Sequence, residues 1–197
     1  MRNPERTREH IVRQAAELFN RRGFAGASLA DIMAATGLQK GGIYGHFRSK
    51  EELALEAFDY AVRQMADRFT AALEGKTDAV ERLRAIAGVF AEIPVNPPVP
   101  GGCPMLNASV ENDDGNPAIQ DRARAAMEGL RTLIRQTVRK GIARGEVRPE
   151  VDGDRVATVM VATLEGGVML SQMYGDPRHA RAAAEHVGEY LDGSVRA

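Results

Sequence analysis

The stretch that decides the fold is residues 28–47, SLADIMAATGLQKGGIYGHF. Ser28 and Asp31 have the spacing of a helix-capping box, which predicts that a helix begins at Ser28. Gly37 is expected to end this helix after barely two turns, because glycine is favoured where a helix closes in left-handed backbone. A second short helix is expected at about residues 39–47. Two short helices joined by a glycine-containing turn are typical of a helix-turn-helix, so the spacing predicts a DNA-binding motif.

The second of these helices has the composition of a DNA recognition helix. Its first residues are Gln39, Lys40, Gly41 and Gly42. Glutamine can pair with adenine edges, lysine reaches guanine or phosphate, and residues without side-chain bulk allow close approach to a groove. Backbone amides at a helix start also hold phosphates, so Ser28 and Lys50, which begin the flanking helices, are expected against the DNA backbone.

Helical spacing of apolar residues continues through the rest of the chain, and no segment alternates as a strand does. Start and stop signals divide the chain into about nine helices, the first beginning at the Asn3-Pro4 pair. We interpret the proline-rich stretch 94–102 as a loop within a helical domain rather than as a domain boundary. The sequence therefore predicts an all-α fold with an N-terminal three-helix helix-turn-helix domain.

Composition and charge exclude several classes of protein. The chain has 197 residues, 44% hydrophobic and 27% charged, which is ordinary for a globular domain with its own core. We expect no transmembrane helix, because no long uncharged apolar run is evident, and no secretory signal peptide. The single cysteine, Cys103, cannot form an internal disulfide, which favours the reducing cytoplasm. Residues 1–50 contain nine basic and four acidic side chains, which indicates a polyanionic partner such as double-stranded DNA for this part alone.

The sequence contains no recognisable catalytic motif. A nucleophile elbow, a His-Glu-x-x-His pair and a phosphate-binding glycine loop are all missing, and the four histidines are scattered. We therefore expect no catalysis, no metal and no cofactor. Two functional classes remain: a ligand-responsive DNA-binding regulator, and a thiol-based redox protein or small-molecule binder.

Several stretches carry a resemblance to a known family. They are AAELF at 15–19 with Gly23-Phe24, ASLADI at 27–32, GLQKGGIYGHF at 37–47 and SKEEL at 49–53. Together they resemble the TetR family of bacterial transcriptional repressors, over roughly residues 5–60. The resemblance implies a DNA-binding domain at 1–50 and a ligand-binding and dimerisation domain at 51–197, linked by a long helix at about 50–74.

The resemblance also implies roles for individual residues. It places Tyr44, His46 and Lys50 against phosphates, Ser28 against the DNA backbone through its helix start, and Gln39, Lys40 and Gly42 against base edges. Gly41 is expected at the DNA from its position in the same helix start. Gly42 and Gly45 stand where many family members carry side chains, so base readout is expected to depend on Gln39 and Lys40. Tyr44, His46 and Phe47 also have a purely structural interpretation. Tyr44 could pack its ring and expose its hydroxyl, and His46 could be an ordinary surface or packed histidine. Phe47 is expected in the core.

We expect a homodimer that presents two recognition helices to a pseudo-palindromic operator. The last two long helices, at about 153–175 and 177–192, carry apolar stripes that can pair across a two-fold axis. Small residues that permit close approach there are Ala157, Ala162, Gly166 and Gly167.

An unknown small apolar or amphipathic effector is expected between helices five to eight and is expected to release the DNA through the fourth helix, as the resemblance implies. The residues predicted to line this pocket are Phe90, Cys103, Met105, Leu106, Asn107, Val110, Met127, Leu130, Ile134, Leu164, Met169 and Met173. The same apolar residues are equally typical of core packing. As an alternative trigger, Cys103 follows two glycines at a helix start, where its thiol could sense oxidants or electrophiles. A buried, inert cysteine is the competing interpretation.

Overall fold

The computed structural model describes residues 4–111 and 116–197, so the cap expected at Asn3 lies outside the described residues. Within these ranges the chain forms nine α-helices, a short π-helical turn at Leu191–Val195, and no strand. The helices are α1 (Pro4–Arg22), α2 (Leu29–Thr36), α3 (Lys40–Tyr44), α4 (Lys50–Leu73), α5 (Ala79–Glu92), α6 (Pro104–Glu111), α7 (Pro117–Ala143), α8 (Gly153–Tyr174) and α9 (Arg178–Tyr190). The predicted all-α fold is confirmed.

The helices form two compact units. The first contains the chain up to Met65 together with Pro98–Arg124, and the second contains Ala66–Pro97 together with Ala125–Ala197. Helices α4 and α7 contribute residues to both units. In this division the start of α4 and the whole of α6 group with the N-terminal helices. The functional boundary at residue 50 stays a prediction.

The core of the first unit is built by the helix-turn-helix region. Ile11 on α1, Ile32 on α2 and Ile43 on α3 are all buried, and Phe47 closes the core with 1% of its surface exposed. Val99, far along the chain, packs into the same cluster. Burial of a phenylalanine or isoleucine of this kind stabilises a fold by about 1.5–3 kcal/mol each, so this core fixes the geometry of α2 and α3.

Two asparagines attach the segment 98–107 to α1 of the first unit. The Asn20 amide donates to the carbonyls of Pro100 and Gly102, both at 3.1 Å. The Asn107 amide donates to the Asn20 carbonyl at 3.1 Å and to the Gly101 carbonyl at 2.7 Å. Gly101 has φ +118°, and a Cβ there would lie 2.5 Å from the Asn20 carbonyl oxygen, so only glycine allows this approach.

The core of the second unit lies among α5, α8 and α9, which pack extensively on one another. Leu83 and Phe90 on α5, Leu164 on α8 and Val187 on α9 are buried. Gly167 lets α9 approach closely, since a Cβ at this position would lie only 2.6 Å from the Cβ of Ala183. Gly167 is therefore used in packing within the subunit.

Helix α8 corrects one expectation from the sequence. It is long and apolar enough, by length and composition, to cross a membrane, although no such run was expected. Its apolar residues Val156, Met160, Leu164 and Val168 are buried within the second unit. This buried face is the pattern of a core helix in a globular unit, whereas Met169, Leu170, Met173 and Tyr174 on the last turns are exposed.

Candidate nucleic-acid interface

A capping box fixes the start of α2. The Ser28 hydroxyl accepts a hydrogen bond from the Asp31 amide at 3.1 Å, and the Asp31 carboxylate accepts from the Ser28 amide at 2.8 Å. Hydrogen bonds from Ser28, and the Arg22 guanidinium at 2.8 Å, hold the pKa of Asp31 below its ordinary value. The predicted capping box is confirmed, and Ser28 remains exposed beside it.

The turn between α2 and α3 is equally well defined. Gly37 has φ +67°, a left-handed conformation that favours glycine, and its amide donates to the Met33 carbonyl at 2.9 Å. The Thr36 hydroxyl donates to the Ile32 carbonyl at 2.7 Å, and a ring nitrogen of His10 lies 3.1 Å from the Thr36 carbonyl. These bonds fix where α3 begins.

Helix α3 is shorter than predicted, covering Lys40–Tyr44 instead of about 39–47. Gln39 precedes it in extended backbone, and Gly45 follows it. Glycines destabilise helices by about 1 kcal/mol each relative to alanine, and this segment contains three, so the helix ends early.

The two faces of α3 have different chemistry. Ile43 is buried against the core, whereas the residues predicted at the DNA groove are all exposed. These exposed residues are Gln39, Lys40, Gly41 and Gly42. A side chain added at Gly41 would meet no atom within 4 Å, so this end of the helix is open to a bulky partner.

The aromatic and histidine positions divide between core and surface. Phe47 is buried, which confirms the prediction that it belongs to the core. Tyr44 is 37% exposed, and the Lys40 ammonium lies 5.8 Å from the centroid of its ring. His46 is half-buried. Tyr44 and His46 are thus accessible at the same end of the unit as Lys40.

Lys50 has partners that the sequence did not indicate. Its ammonium donates to the Phe24 carbonyl at 2.6 Å and lies 4.3 Å from the centroid of the Phe24 ring. An ammonium group has three donors, so this contact positions Lys50 and leaves further donors for a phosphate. Phe24 belongs to the Gly23-Phe24 motif, but no local pattern indicates its pairing with a lysine 26 residues away.

Helix α4 begins at this lysine with a variant of a capping box. The Ser49 hydroxyl accepts from the Glu52 amide at 3.1 Å. The Glu52 carboxylate, however, accepts from the amide of Arg48 rather than from that of Ser49. Both bonds order the loop that carries His46 and Arg48.

The residues predicted to bind a ligand do not share one environment. Four of them belong to the buried core of the second unit: Phe90, Leu130, Ile134 and Leu164. Met127, in the same unit, is half-buried. Cys103 and Met105 are buried and Leu106 and Asn107 half-buried in the first unit. Asn107 ties α6 to α1 through its amide, which gives that side chain a structural role.

Three of the predicted ligand contacts require correction. Val110 is 73% exposed, Met169 is 45% exposed and Met173 is 66% exposed. They lie on the outer faces of α6 and α8, so they do not line the interior of either unit. Helical spacing alone did not distinguish the inner face of these helices from the outer one.

Cys103, the alternative sensor, is fully buried directly before α6. Among residues 4–111 and 116–197, no group of three His, Cys, Asp or Glu side chains is arranged to hold a metal ion.

Glu111, at the end of α6, makes a contact that the sequence did not indicate. Its carboxylate accepts a hydrogen bond from the Ala25 amide at 2.8 Å, in the loop between α1 and α2. The two residues are 86 positions apart, and no local pattern indicates such a pair.

Comparison with protein families gives two matches that together cover most of the chain. Residues 11–57 match the family described as bacterial regulatory proteins, tetR family. Residues 79–187 match the family described as tetracyclin repressor-like, C-terminal domain.

Individual relatives agree with these matches. A TetR transcriptional regulator from Chloroflexus aurantiacus J-10-FL is 48% identical, with a TM-score of 0.96 over 100% of this chain and 99% of that one. A TetR-family regulator from Cytophaga hutchinsonii is 31% identical, with a TM-score of 0.88 over 98% and 96% of the two chains. The HTH-type transcriptional repressor ComR of Escherichia coli (strain K12) is 31% identical over 81% of this chain and 76% of its own.

Proposed function

Because the chain belongs to the TetR family of bacterial regulatory proteins, we propose that it is a transcriptional repressor that binds operator DNA through α2 and α3. Members of this family are DNA-binding transcriptional regulators, typically repressors, and not enzymes. The observation that carries the proposal is the outer face of α3, where Gln39, Lys40, Gly41 and Gly42 are exposed while Ile43 anchors the helix in the core.

Each exposed residue has a role that follows from its chemistry. Gln39 and Lys40 read base edges in the major groove, because their side chains are long, polar and unobstructed. Gly41 and Gly42 let the helix backbone approach the DNA.

Four further residues hold the phosphates on either side of the groove. Lys50 supplies charge, Tyr44 and His46 supply hydrogen-bonding groups, and Ser28 presents the start of α2.

The protein acts as a homodimer, as members of the family typically do. Helix α8 supports this proposal, because Met169, Leu170, Met173 and Tyr174 are exposed on its last turns. A side chain added at Gly166 would meet no atom within 4 Å, so a partner helix can approach closely there. Of the small residues expected at this interface, Ala157 and Gly167 are buried within the subunit, which leaves Ala162 and Gly166 facing outward.

A small apolar or amphipathic effector lowers operator affinity. Buried apolar residues of α5, α7 and α8 in the second unit support an apolar binding site; they are Phe90, Leu130, Ile134 and Leu164. An effector releases DNA only to the extent that it prefers the released conformation, and about 5.5 kcal/mol of preference converts a 1:99 population into 99:1. The protein works in the cytoplasm, where its DNA is found.

The thiol alternative has less support. Cys103 is fully buried, so an oxidant or electrophile has no direct access to its sulfur. Treating wild type and Cys103→Ser with hydrogen peroxide separates the two triggers. Release of DNA from wild type alone supports the thiol as the trigger. No release from either protein supports the small effector as the trigger.

An electrophoretic shift on the DNA flanking the protein's own gene tests the proposed function. We expect a shifted complex with this DNA at concentrations where an unrelated duplex of equal length stays free. The double variant Gln39→Ala/Lys40→Ala should lose this preference, whereas Val95→Ala, at an exposed position of the second unit, should keep it. Equal binding of both duplexes by wild type would refute sequence-specific regulation.

A further inference from the structure

A cavity lies within the first unit, between α1, α4, α6 and the start of α7. Its walls include five alanines and three phenylalanines, among them Phe24, Ala54 and Ala108. The volume in it that the centre of a water molecule can occupy is about 40 Å³. One water needs roughly 10–15 Å³ by that measure, and only polar cavities hold water well. The space is therefore suited to an apolar occupant.

The polar side chains in the wall are already engaged. The Asn107 amide donates to Asn20 and to the Gly101 carbonyl, and the Asn20 amide donates to the loop carbonyls. The Glu111 carboxylate accepts from the Ala25 amide. An uncharged apolar molecule gains contacts with the alanine and phenylalanine walls without breaking any of these bonds.

One wall of the cavity is shared with a proposed DNA contact. Phe24 lines the cavity, and its ring packs on that of Phe19 with centroids 5.8 Å apart. The same residue holds Lys50 through its carbonyl, at 2.6 Å, and through its ring face, at 4.3 Å from the centroid. A molecule that displaces Phe24 therefore also displaces the ammonium group of Lys50.

We propose that this cavity binds a small uncharged aromatic or aliphatic molecule, and that occupancy weakens DNA binding by moving Phe24 and Lys50. The second half rests on the proposed function, since it takes Lys50 as a phosphate contact. This site is made only of residues in the first unit, so it is separate from the effector site proposed among α5, α7 and α8.

Benzene is a suitable probe for the first half of the proposal. At about five times its dissociation constant it should raise the Tm of the full-length protein by roughly 2–4 °C. Ala108→Leu fills the cavity and should abolish this rise, whereas Ala125→Leu, at an exposed position on α7, should retain it. If Ala108→Leu does not fold, as judged by circular dichroism, the smaller Ala108→Val takes its place. No rise in wild type, or an equal rise in the filled variant, overturns the site.

DNA affinity tests the second half. Benzene should lower the affinity for the DNA flanking the protein's own gene by about fivefold or more in wild type and in Ala125→Leu, and leave Ala108→Leu unchanged. A rise in Tm without any change in DNA affinity overturns the coupling through Phe24. Failure of the proposed function can be told apart from failure of the cavity proposal. It would appear as absence of specific DNA binding before benzene is added. The Tm, which tests the cavity, is measured without DNA.

Discussion

Two outer surfaces of this molecule have opposite chemistry. The outer face of α3 presents polar side chains and glycines, among them the ammonium group of Lys40. The last turns of α8 instead carry four of the seven large hydrophobic side chains that are exposed in the described part of the chain. A polar, basic surface suits a hydrated polyanion, whereas an apolar one suits desolvated contact with protein. We therefore expect DNA and a partner subunit to bind separate surfaces.

The largest effect is expected from a charge placed on the apolar surface. Met173→Glu should leave the fold intact, because Met173 is 66% exposed, but should make the protein monomeric by sedimentation. Operator affinity should then fall by about 10²-fold or more, because two linked recognition helices bind more tightly than one. Val95→Glu, also at an exposed apolar position, is the control and should stay dimeric. A stable wild-type monomer at micromolar concentration would contradict the dimer.

The second largest effect is expected from a substitution in the core that supports the polar surface. Phe47→Ala should lower the free energy of unfolding of the first unit by about 3–5 kcal/mol, because a buried aromatic side chain leaves a cavity. Tyr44→Ala, three residues earlier and partly exposed, should lower the free energy of unfolding by clearly less. Urea denaturation measures both, and equal losses would show that α3 is not anchored as described.

Substitutions on the polar surface itself should separate base contacts from phosphate contacts. Gln39→Ala or Lys40→Ala should change which bases are tolerated, by about 1–3 kcal/mol per good contact. Lys50→Ala should weaken binding to all sequences alike and reduce the slope of log affinity against log salt by about one for each recognition head. Titrations of an operator library at several salt concentrations distinguish the two classes. A change of preference in Lys50→Ala with an unchanged slope would mean that the roles are reversed.

The smallest effect concerns the capping box of α2. Ser28→Ala should cost about 1 kcal/mol of stability at neutral pH. Because the pKa of Asp31 is lowered in the folded protein, its stabilising contribution is present above its ordinary pKa and is lost as the pH falls below about 4. The difference between wild type and Ser28→Ala should therefore narrow in acid. Thermal unfolding at pH 7 and pH 3 measures it, and a difference that widens in acid would contradict the assignment.

What the sequence predicted well was local. The capping box at Ser28, the left-handed Gly37 and the burial of Phe47 all follow from residues within a few positions of one another. Helix α3 is shorter than the spacing predicts, because the glycines of this segment destabilise a longer helix.

What the sequence did not predict depends on distant contacts. Glu111 accepts from Ala25 across 86 positions, and Asn107 donates to Asn20 across 87. Such pairs assign α6 to the first unit, and no periodicity reveals them. The outward orientation of Val110 and Met173 was missed for a related reason: apolar residues at helical spacing look alike whether they face the interior or a surface.

The salt dependence of binding tests the central claim most directly. Fluorescence anisotropy should be recorded on a labelled duplex from the DNA flanking the protein's own gene, over a range of salt concentrations. Two recognition heads that each neutralise a phosphate with Lys50 predict a linear plot of log affinity against log salt with a slope of about −2. Absence of binding at low salt, or binding whose affinity does not change with salt, would contradict the account.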